Sequence, residues 1–376
     1  MLKDMVRCKN MTKVCYISPL SIHSHRWMEA FSNKGYDISL ITDTRAWVAP
    51  ETLPFPTHSL PTLHKGNVLW RFIPNTAKIA TFLKRIAPDF VHLHVQHHYM
   101  PAIVLSGLPF ILSTWGIEVL QLPHSNIFSK SLAKTAGIKA HAIIVDAKCL
   151  KEIWTGLGIP ETKIEIIPFG VDVNLFNPII DGQSIREKLQ ISKKDVVVIS
   201  TRPFYNHHYN VKCLIEAIPT IIKTCENIKF IIKGSGPLEK YLKNLAKKLG
   251  VAEYVHFFGL VPYNKMPYFL AAADIYVSTC FIDSTSVSLL EAMACKLAPV
   301  VTDIPGNREW VKDSVNGLLF PPRNKAVLAE KIIYLAENQK LREIFGRKCV
   351  DIVKKRATWK HCVLKMQAIY ETLLKK

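Results

Sequence analysis

The sequence predicts an α/β protein made of two doubly wound, parallel-sheet (Rossmann-like) domains that face each other across a cleft. Three observations carry the prediction. Short, wholly apolar runs alternate with segments of 3.6-residue periodicity along the whole chain, and strands apolar on both faces belong in parallel sheets covered by helices. At 376 residues the chain exceeds one ordinary core. A break falls at "FGVDVNLFNPIIDGQ", rich in Gly, Asn, Pro and Asp, before "SIREKLQI" opens a new helix. The boundary is placed at residue 178, so the first domain spans 1–178 and the second begins at 179.

Taken in order, the candidate strands of the first domain are "KVCYIS", "DISLIT", "FVHLHV", "FILST", "AIIVD" and "IEIIP". Those of the second are "VVVIST", "IKFIIKG", "YVHFFG", "DIYVST" and "APVVTD". Helical periodicity is clearest in "HRWMEAFSNKG" and "LEKYLKNLAKKLG". The uncharged stretch from Tyr99 to Ile117 contains Pro101 and Pro109. Gly107-Leu108-Pro109 reads as a turn, so helix, turn and buried strand are expected there rather than a membrane span. Met11 is a plausible start, since the strand pattern begins just after it, and the segment before it lacks a secretory apolar run.

Composition narrows the class. Nearly half the residues are hydrophobic (49%) and 10% aromatic, which fits a packed globular protein and not a disordered chain. The nine cysteines stand singly with no C-x-x-C pair, so no disulfide framework or zinc ribbon is indicated and a reducing cytosol is expected. The formal net charge is +19, most of it beyond residue 178. That excess suits either a solvated surface or contact with phosphate-rich ligands or anionic membranes. No aromatic-interleaved basic stretch supports a nucleic-acid binder.

Three strand-to-helix turns of the second domain could hold a phosphorylated ligand. In "STCFIDSTSVSLLEAMACKLAPVVTD", Asp283 precedes Ser284, Thr285, Ser286 and Val287, and Glu291 follows on the helix. Hydroxyl caps and the free amides of a helix start suit a phosphate, and the two acids suit two polyols, such as a ribose and a hexose. Spacing alone equally fits an N-cap Asp and a surface Glu. In "FIIKGSGPLEKY", Lys233, Gly234, Ser235, Gly236 and Pro237 form a glycine turn that lets a backbone approach a diphosphate, with Pro237 suited to a first helical turn. Arg202, in "STRPFYNHHYN", could neutralise a departing diphosphate or merely form a structural ion pair.

The first domain offers Ser21, His23, His25 and Arg26 where a helix opens after its first strand, and Trp115, Gly116 and Glu118 in "STWGIE". His92, His94, His97 and His98 cluster in "VHLHVQHH", but no carboxylate or cysteine completes a metal site nearby. No Asp-x-Asp occurs in the chain, so no metal and no other cofactor is expected and basic groups would have to balance phosphate charge.

These residues together resemble the retaining glycosyltransferases of family 4 (glycosyl transferases group 1), with the GT-B fold. The resemblance spans almost the whole chain. It is most specific in "DSTSVSLLEAMACKLAPVVTDIPGNREWVKDSVNGLLFPP", with support from "SIHSHRWMEAFSNKGYDISLIT", "PDFVHLH", "KIEIIPFGVDVNLF" and "VHFFGLVPYNKMPYFLAAADIYV". The family motif, an acid and a Glu separated by seven residues, falls on Asp283 and Glu291. The resemblance implies a contact with the transferred sugar for Asp283, shortened from the usual Glu, and with the ribose for Glu291. Arg202 matches the Arg of the family's basic pair, but its Lys falls at or near Tyr209, leaving His208 or Lys212 as substitutes. Trp115 stands where many relatives carry a catalytic-site His; His94 and Glu118 match other polar positions near the reaction centre. Ser21, His23, His25, Arg26, Trp115 and Gly116 would lie on the acceptor side. The fold also implies a donor domain over 179–357 and a last helix, about 358–376, crossing back to the first domain on Trp359 and Tyr370.

The implied activity is transfer of a hexose-type sugar from a nucleoside diphosphate-sugar to an acceptor hydroxyl with retained anomeric configuration. It would serve polysaccharide, glycolipid or cell-envelope glycan synthesis in the cytoplasm. A nucleotide-sugar epimerase of the same fold, or a non-catalytic sugar-nucleotide-binding subunit, stays open as an alternative. Peripheral contact with an anionic membrane and a lipid-linked acceptor are expected from Lys65, Trp70 and Arg71, and from the helix carrying Lys78, Ile79, Phe82, Leu83, Lys84 and Arg85.

Overall fold

A computed structural model describes residues 11–43, 53–60, 68–94 and 99–375, with backbone only at 43 and 68–74. His97, His98 and Lys65 lie outside the described residues, and the side chains of Trp70 and Arg71 are not described. The chain forms two compact units, Met1–Ile167 with Val363–Lys376, and Pro168–Cys362. The segment 168–178 therefore groups with the second unit rather than the first.

The first unit holds a seven-stranded, all-parallel sheet built from β1 (Lys13–Ile17), β2 (Asp37–Asp43), β3 (Thr57–Leu60), β4 (Phe90–His94), β5 (Phe110–Thr114), β6 (Ala142–Val145) and β7 (Ile164–Ile166). Its order is β3-β2-β1-β4-β5-β6-β7. The second unit holds a six-stranded parallel sheet of β8 (Val196–Ser200), β9 (Ile228–Lys233), β10 (Val255–Phe258), β11 (Ile275–Ser278), β12 (Ala298–Thr302) and β13 (Leu318–Phe320). Its order is β10-β9-β8-β11-β12-β13. In each sheet the winding reverses beside the first strand, between β1 and β4 and between β8 and β11. Those are the switch points where open α/β sheets bind ligands.

All eleven apolar runs form strands. The two that the sequence does not announce, β3 ("THSL") and β13 ("LLF"), are sheet edges. An edge strand pairs on one side only, and β3 is polar and largely uncovered. Helix Ile22–Ser32 starts with a capping box between Ser21 and Ser24. Helix Met100–Ser106 ends at Gly107 with φ 71°, and Phe110–Thr114 is wholly buried, giving the expected helix, turn and strand. Among the described residues no helix is long and apolar enough to cross a membrane. Pro237 lies in a turn before helix Glu239–Lys248, not in its first turn.

One core packs helices on a face of the first sheet, and two cores cover the faces of the second. Ile79 and Leu83 of helix Val68–Ile86 are buried in the first core, and Phe82 packs against His58 with ring centroids 4.9 Å apart. The apolar face expected to meet a membrane there is core instead. Helix Trp359–Leu374 begins in the second unit, where the Trp359 amide donates to the Val171 carbonyl at 2.7 Å. Its residues from Val363 group with the first unit. There Tyr370 is fully buried among Phe31, Tyr36 and Phe90, and its hydroxyl meets those of Tyr16 at 2.7 Å and the His92 imidazole. Tyr370 is thus an anchor in the first unit, whereas Trp359 is grouped with the second.

Candidate active site

The second unit gathers its charged residues at the β8–β11 switch point. Arg202, just past β8, is 6% exposed. Its guanidinium donates to Asp283 Oδ2 at 2.6 Å, to Ser286 Oγ at 2.5 Å and to Ser288 Oγ at 3.2 Å. Burial works most strongly against the charge of Arg202, but Asp283, Cys280, Tyr276 and Tyr209 together outweigh it and hold the group above its ordinary range. The guanidinium also lies 4.8 Å over the Tyr209 ring, a cation–π contact. Its Nε–H is buried without a partner. An unmade bond on a buried guanidinium is costly, so a polar ligand oxygen would relieve it.

The hydroxyls around Arg202 form a relay. Ser286 caps helix Val287–Ala294 by accepting from the Leu289 amide, and its hydroxyl meets Ser288 at 3.0 Å. Ser288 also meets Tyr276 Oη at 2.8 Å. Asp283 is therefore not the helix cap; it is the partner of Arg202. Glu291 is not a surface residue either. It is 6% exposed on a helix whose last six residues are all buried. Lys233, at the end of β9, is its electrostatic neighbour: burial pulls the ammonium pKa down and Glu291 opposes that.

The turn chemistry has a tighter cause than ligand approach. A Cβ on Gly234 would sit 2.5 Å from the Arg202 carbonyl, and one on Gly236 2.5 Å from the Phe204 carbonyl carbon. Gly234 N–H donates to Phe258 O at 2.8 Å, Ser235 O accepts from Phe204 N at 2.9 Å and Leu238 N donates to Phe204 O at 3.1 Å. The glycine loop thus clamps the 202–205 loop and sets the entry of Arg202 into the site. Thr285 Oγ1 accepts from Trp310 Nε1 at 3.1 Å, and Val287 is the first residue of the helix. Of the two candidate replacements for the missing lysine, Lys212 pairs with Glu216 at 3.5 Å along its own helix. His208 sits by Tyr209, ring centroids 4.1 Å apart, with its pKa lowered by burial and by Arg202 and raised by Asp283.

The first unit gathers uncharged groups at the β1–β4 switch point. His94, 1% exposed, meets Ser18 Oγ at 3.0 Å through Nδ1. Ser18 donates its only hydroxyl proton to Pro19 O at 2.9 Å. With that proton on Pro19 O, His94 donates from Nδ1 and its buried Nε2, which has no hydrogen-bond partner among the described residues, is left as an acceptor. Burial, with His92 beside it, holds the His94 pKa well below the ordinary value. The Trp115 ring lies 4.1 Å from the His94 ring. Gly116, at φ 99°, turns the chain into helix Ile117–Leu120, where burial raises the Glu118 pKa against its own backbone bond. Around the first helix, Ser21 is used as a cap, burial and Arg26 lower the His23 pKa to about 4, and His25 packs toward Phe55 at 6.3 Å. Among the described residues no group of three His, Cys, Asp or Glu could hold a metal. His92 is instead bonded on both nitrogens, to Tyr370 and to Ser113 at 2.6 Å.

Sequence reasoning missed Ser18, Ser288, Tyr276 and Gly306. Serines and a core Tyr carry no signature of their own. Gly306 could have been suspected from "DIPGNREW". A Cβ there would meet the Ser284 carbonyl at 2.0 Å, so only glycine lets this turn press the Asp283–Ser284 loop into place.

The chain is similar to known proteins over most of its length. Residues 181–349 match the family "Glycosyl transferases group 1", and residues 13–147 match "Glycosyl transferase 4-like". An uncharacterised glycosyltransferase of Methanocaldococcus jannaschii is 28% identical over 66% of this chain and 63% of its own. The phosphatidyl-myo-inositol mannosyltransferase of Mycobacterium leprae is 22% identical over 94% of both chains. The Anabaena protein HepE, solved in complex with UDP-glucose, superposes with a TM-score of 0.78 over 97% of this chain and 100% of that one, at 19% identity. The chain spans 46–63% of the curated relatives it matches first. Two family matches that together cover most of the chain, on two parallel α/β sheets, make it a member of the group 1 glycosyltransferases, family 4-like, with the GT-B fold.

Proposed function

We propose that this protein transfers a hexose-type sugar from a nucleoside diphosphate-sugar to an acceptor hydroxyl, with retention of anomeric configuration and without a metal ion. The observation that carries the reading is the buried Arg202, paired with Asp283 and holding an unpaired Nε–H at the switch point of the second sheet. The diphosphate oxygens compete with Asp283 for the guanidinium and complete its bonds. Released from Arg202, Asp283 accepts from a hydroxyl of the transferred sugar. Glu291, steadied by Lys233, takes the ribose hydroxyls. As the glycosidic bond breaks, charge grows on the leaving diphosphate, and a preorganised buried cation stabilises it more than it does the ground state.

The HepE complex with UDP-glucose supports a sugar nucleotide as donor, and the mycobacterial mannosyltransferase supports a lipid-linked acceptor. The eight described cysteines are free, as suits a cytoplasmic protein. In the first unit, the bare Nε2 of His94 is placed to accept a hydrogen bond from the acceptor.

The test is a thermal-shift screen against UDP-, GDP- and ADP-sugars, since a ligand of the native state raises Tm. The stabilising donor is then incubated with acceptors and the product anomer read by NMR. Retention supports the proposal and inversion overturns that part of it. Conversion of the donor alone indicates an epimerase, and binding without turnover a non-catalytic subunit. Activity should persist in EDTA; loss restored by Mn²⁺ or Mg²⁺ rules out metal independence.

A further inference from the structure

The turn that follows β13 carries an arginine where its backbone suits a glycine. The chain there reads Pro321-Pro322-Arg323-Asn324, and the Asn324 amide donates to the Pro321 carbonyl at 3.1 Å. Arg323 has φ 66°. A four-residue turn with Pro second and a positive φ third matches type II, whose third position favours Gly or Asn because a Cβ there crowds the backbone. The turn is fixed from both sides. β13 pairs with β12 before it. After it, the Asn324 side chain accepts from the Val327 amide at 3.1 Å and caps helix Lys325–Glu337, whose Leu328, Ala329, Ile332 and Leu335 are buried. Among the described residues, Ala87, Gln190 and Lys296 also have positive φ, but each follows the end of a helix, where a left-handed residue completes the last turn. Arg323 follows a strand and ends no helix.

The side chain of Arg323 makes its contact elsewhere. Among the described residues it forms no ion pair. Its guanidinium lies 4.3 Å over the ring of half-buried Phe281, a cation–π contact. Phe281 belongs to the loop between β11 and helix Val287–Ala294, and alternate residues of that loop are held in place. The Thr279 hydroxyl donates to the Tyr209 carbonyl at 3.0 Å, the Phe281 amide donates to the His208 carbonyl at 3.1 Å, and Asp283 accepts from Arg202 at 2.6 Å. Arg323 fixes the ring of the middle one. A residue that breaks a local backbone rule to touch a distant loop is a mark of a functional constraint on that loop.

We propose that Arg323 is a positioning residue of the donor site: stacked on Phe281, it holds the 279–283 loop so that Asp283 stays where it meets the transferred sugar. The part in catalysis rests on the glycosyl-transfer reading; the restraint on the loop does not. Orientation of the sugar matters most in the transition state, so turnover depends on Arg323 more than donor binding does.

The experiment replaces Arg323 by glycine, which suits the turn and removes the stack. Because the strain is relieved, Arg323→Gly should keep Tm within about 3 °C of wild type. Hydrogen exchange read by mass spectrometry should nevertheless speed up roughly tenfold across residues 279–286. With the donor and acceptor that support turnover, kcat should fall roughly tenfold while the donor KM changes less than about threefold. Arg323→Lys, which keeps a cation, should restore part of both losses. Phe281→Leu should give the same two changes, and adding Arg323→Gly to it should give no more. Unchanged exchange across 279–286 in Arg323→Gly overturns the proposal. So does faster exchange with kcat within about threefold of wild type. A wild type that transfers no sugar defeats the glycosyl-transfer reading instead, and the exchange result still decides whether Arg323 holds the loop.

Discussion

At the switch point of the second unit a buried guanidinium is held by a carboxylate; at that of the first a buried imidazole is held by a serine hydroxyl. Both arise from the same topology, the crossing between the first strand of a parallel sheet and its far neighbour, and both leave one buried nitrogen without a partner. They differ in charge. Asp283 is the main group that keeps Arg202 ionised despite burial, whereas burial, with His92 beside it, keeps His94 neutral. A fixed charge suits a ligand that carries charge, and a fixed neutral acceptor suits a hydroxyl. One fold repeated in one chain thus makes two different sites by changing the residues at equivalent strand ends.

The largest test of the contrast is acid. His92 and His94 are buried neutral, and burial lowers the His92 pKa from 6.5 to about 3. Below pH 6.5 the unfolded chain binds protons that the native chain refuses, so stability rises with pH in this range. Their contribution is intact above about pH 6.5 and is lost as pH falls toward the native values. At pH 5 His92 alone costs about 2 kcal/mol. Calorimetry from pH 7 to pH 5 should show the first unit losing stability before the second, and His92→Asn with His94→Asn should flatten that dependence. An earlier loss in the second unit would break the contrast.

Next comes Arg202→Ala. Turnover should fall by roughly 100- to 1,000-fold, with donor affinity affected less, because leaving-group charge is greatest in the transition state. A variant within about threefold of wild type, a difference below 1 kcal/mol, would pass the role to another cation. Glu291→Gln should weaken donor binding by about 1.5–3 kcal/mol in titration calorimetry, with Tm little changed. Unchanged affinity would remove Glu291 from the donor site and leave it a core carboxylate beside Lys233.

The smallest effect sharpens the neutral side. Ser18→Ala removes the acceptor that keeps the proton of His94 on Nδ1, at a cost of about 0.5–1.5 kcal/mol. Nitrogen NMR should show a bare Nε2 in the wild type and a mixture of tautomers in the variant. A wild type protonated on Nε2 would reverse the assignment of His94 as an acceptor.

The sequence by itself determined eleven of the thirteen strands, the two-unit plan and the family, because continuous apolar runs belong in buried parallel sheets and the 283–320 block is dense with specific residues. It also marked the charged half of the site, since Arg202, Asp283 and Glu291 are costly to bury and stand out in a strand-to-helix turn. Tertiary structure decided what each charge does. Asp283 and Glu291 could have been a cap and a surface residue by spacing; only the meeting of the loops after β8 and β11 pairs one with Arg202, and only a helix buried along its last six residues places the other by Lys233. The edge strands β3 and β13, the hydroxyl relay through Ser288 and Tyr276, the Ser18–His94 bond and the press of Gly306 on Ser284 were not legible. Each depends on residues distant in the chain, and a serine or a glycine has the same local signature wherever it falls. The helical surface of the first unit shows the same division. Amphipathic spacing in Val68–Ile86 drew attention to a face that turned out to be core. Which apolar residues remain outside is set by how the helices share one sheet, a property of packing and not of any single periodicity.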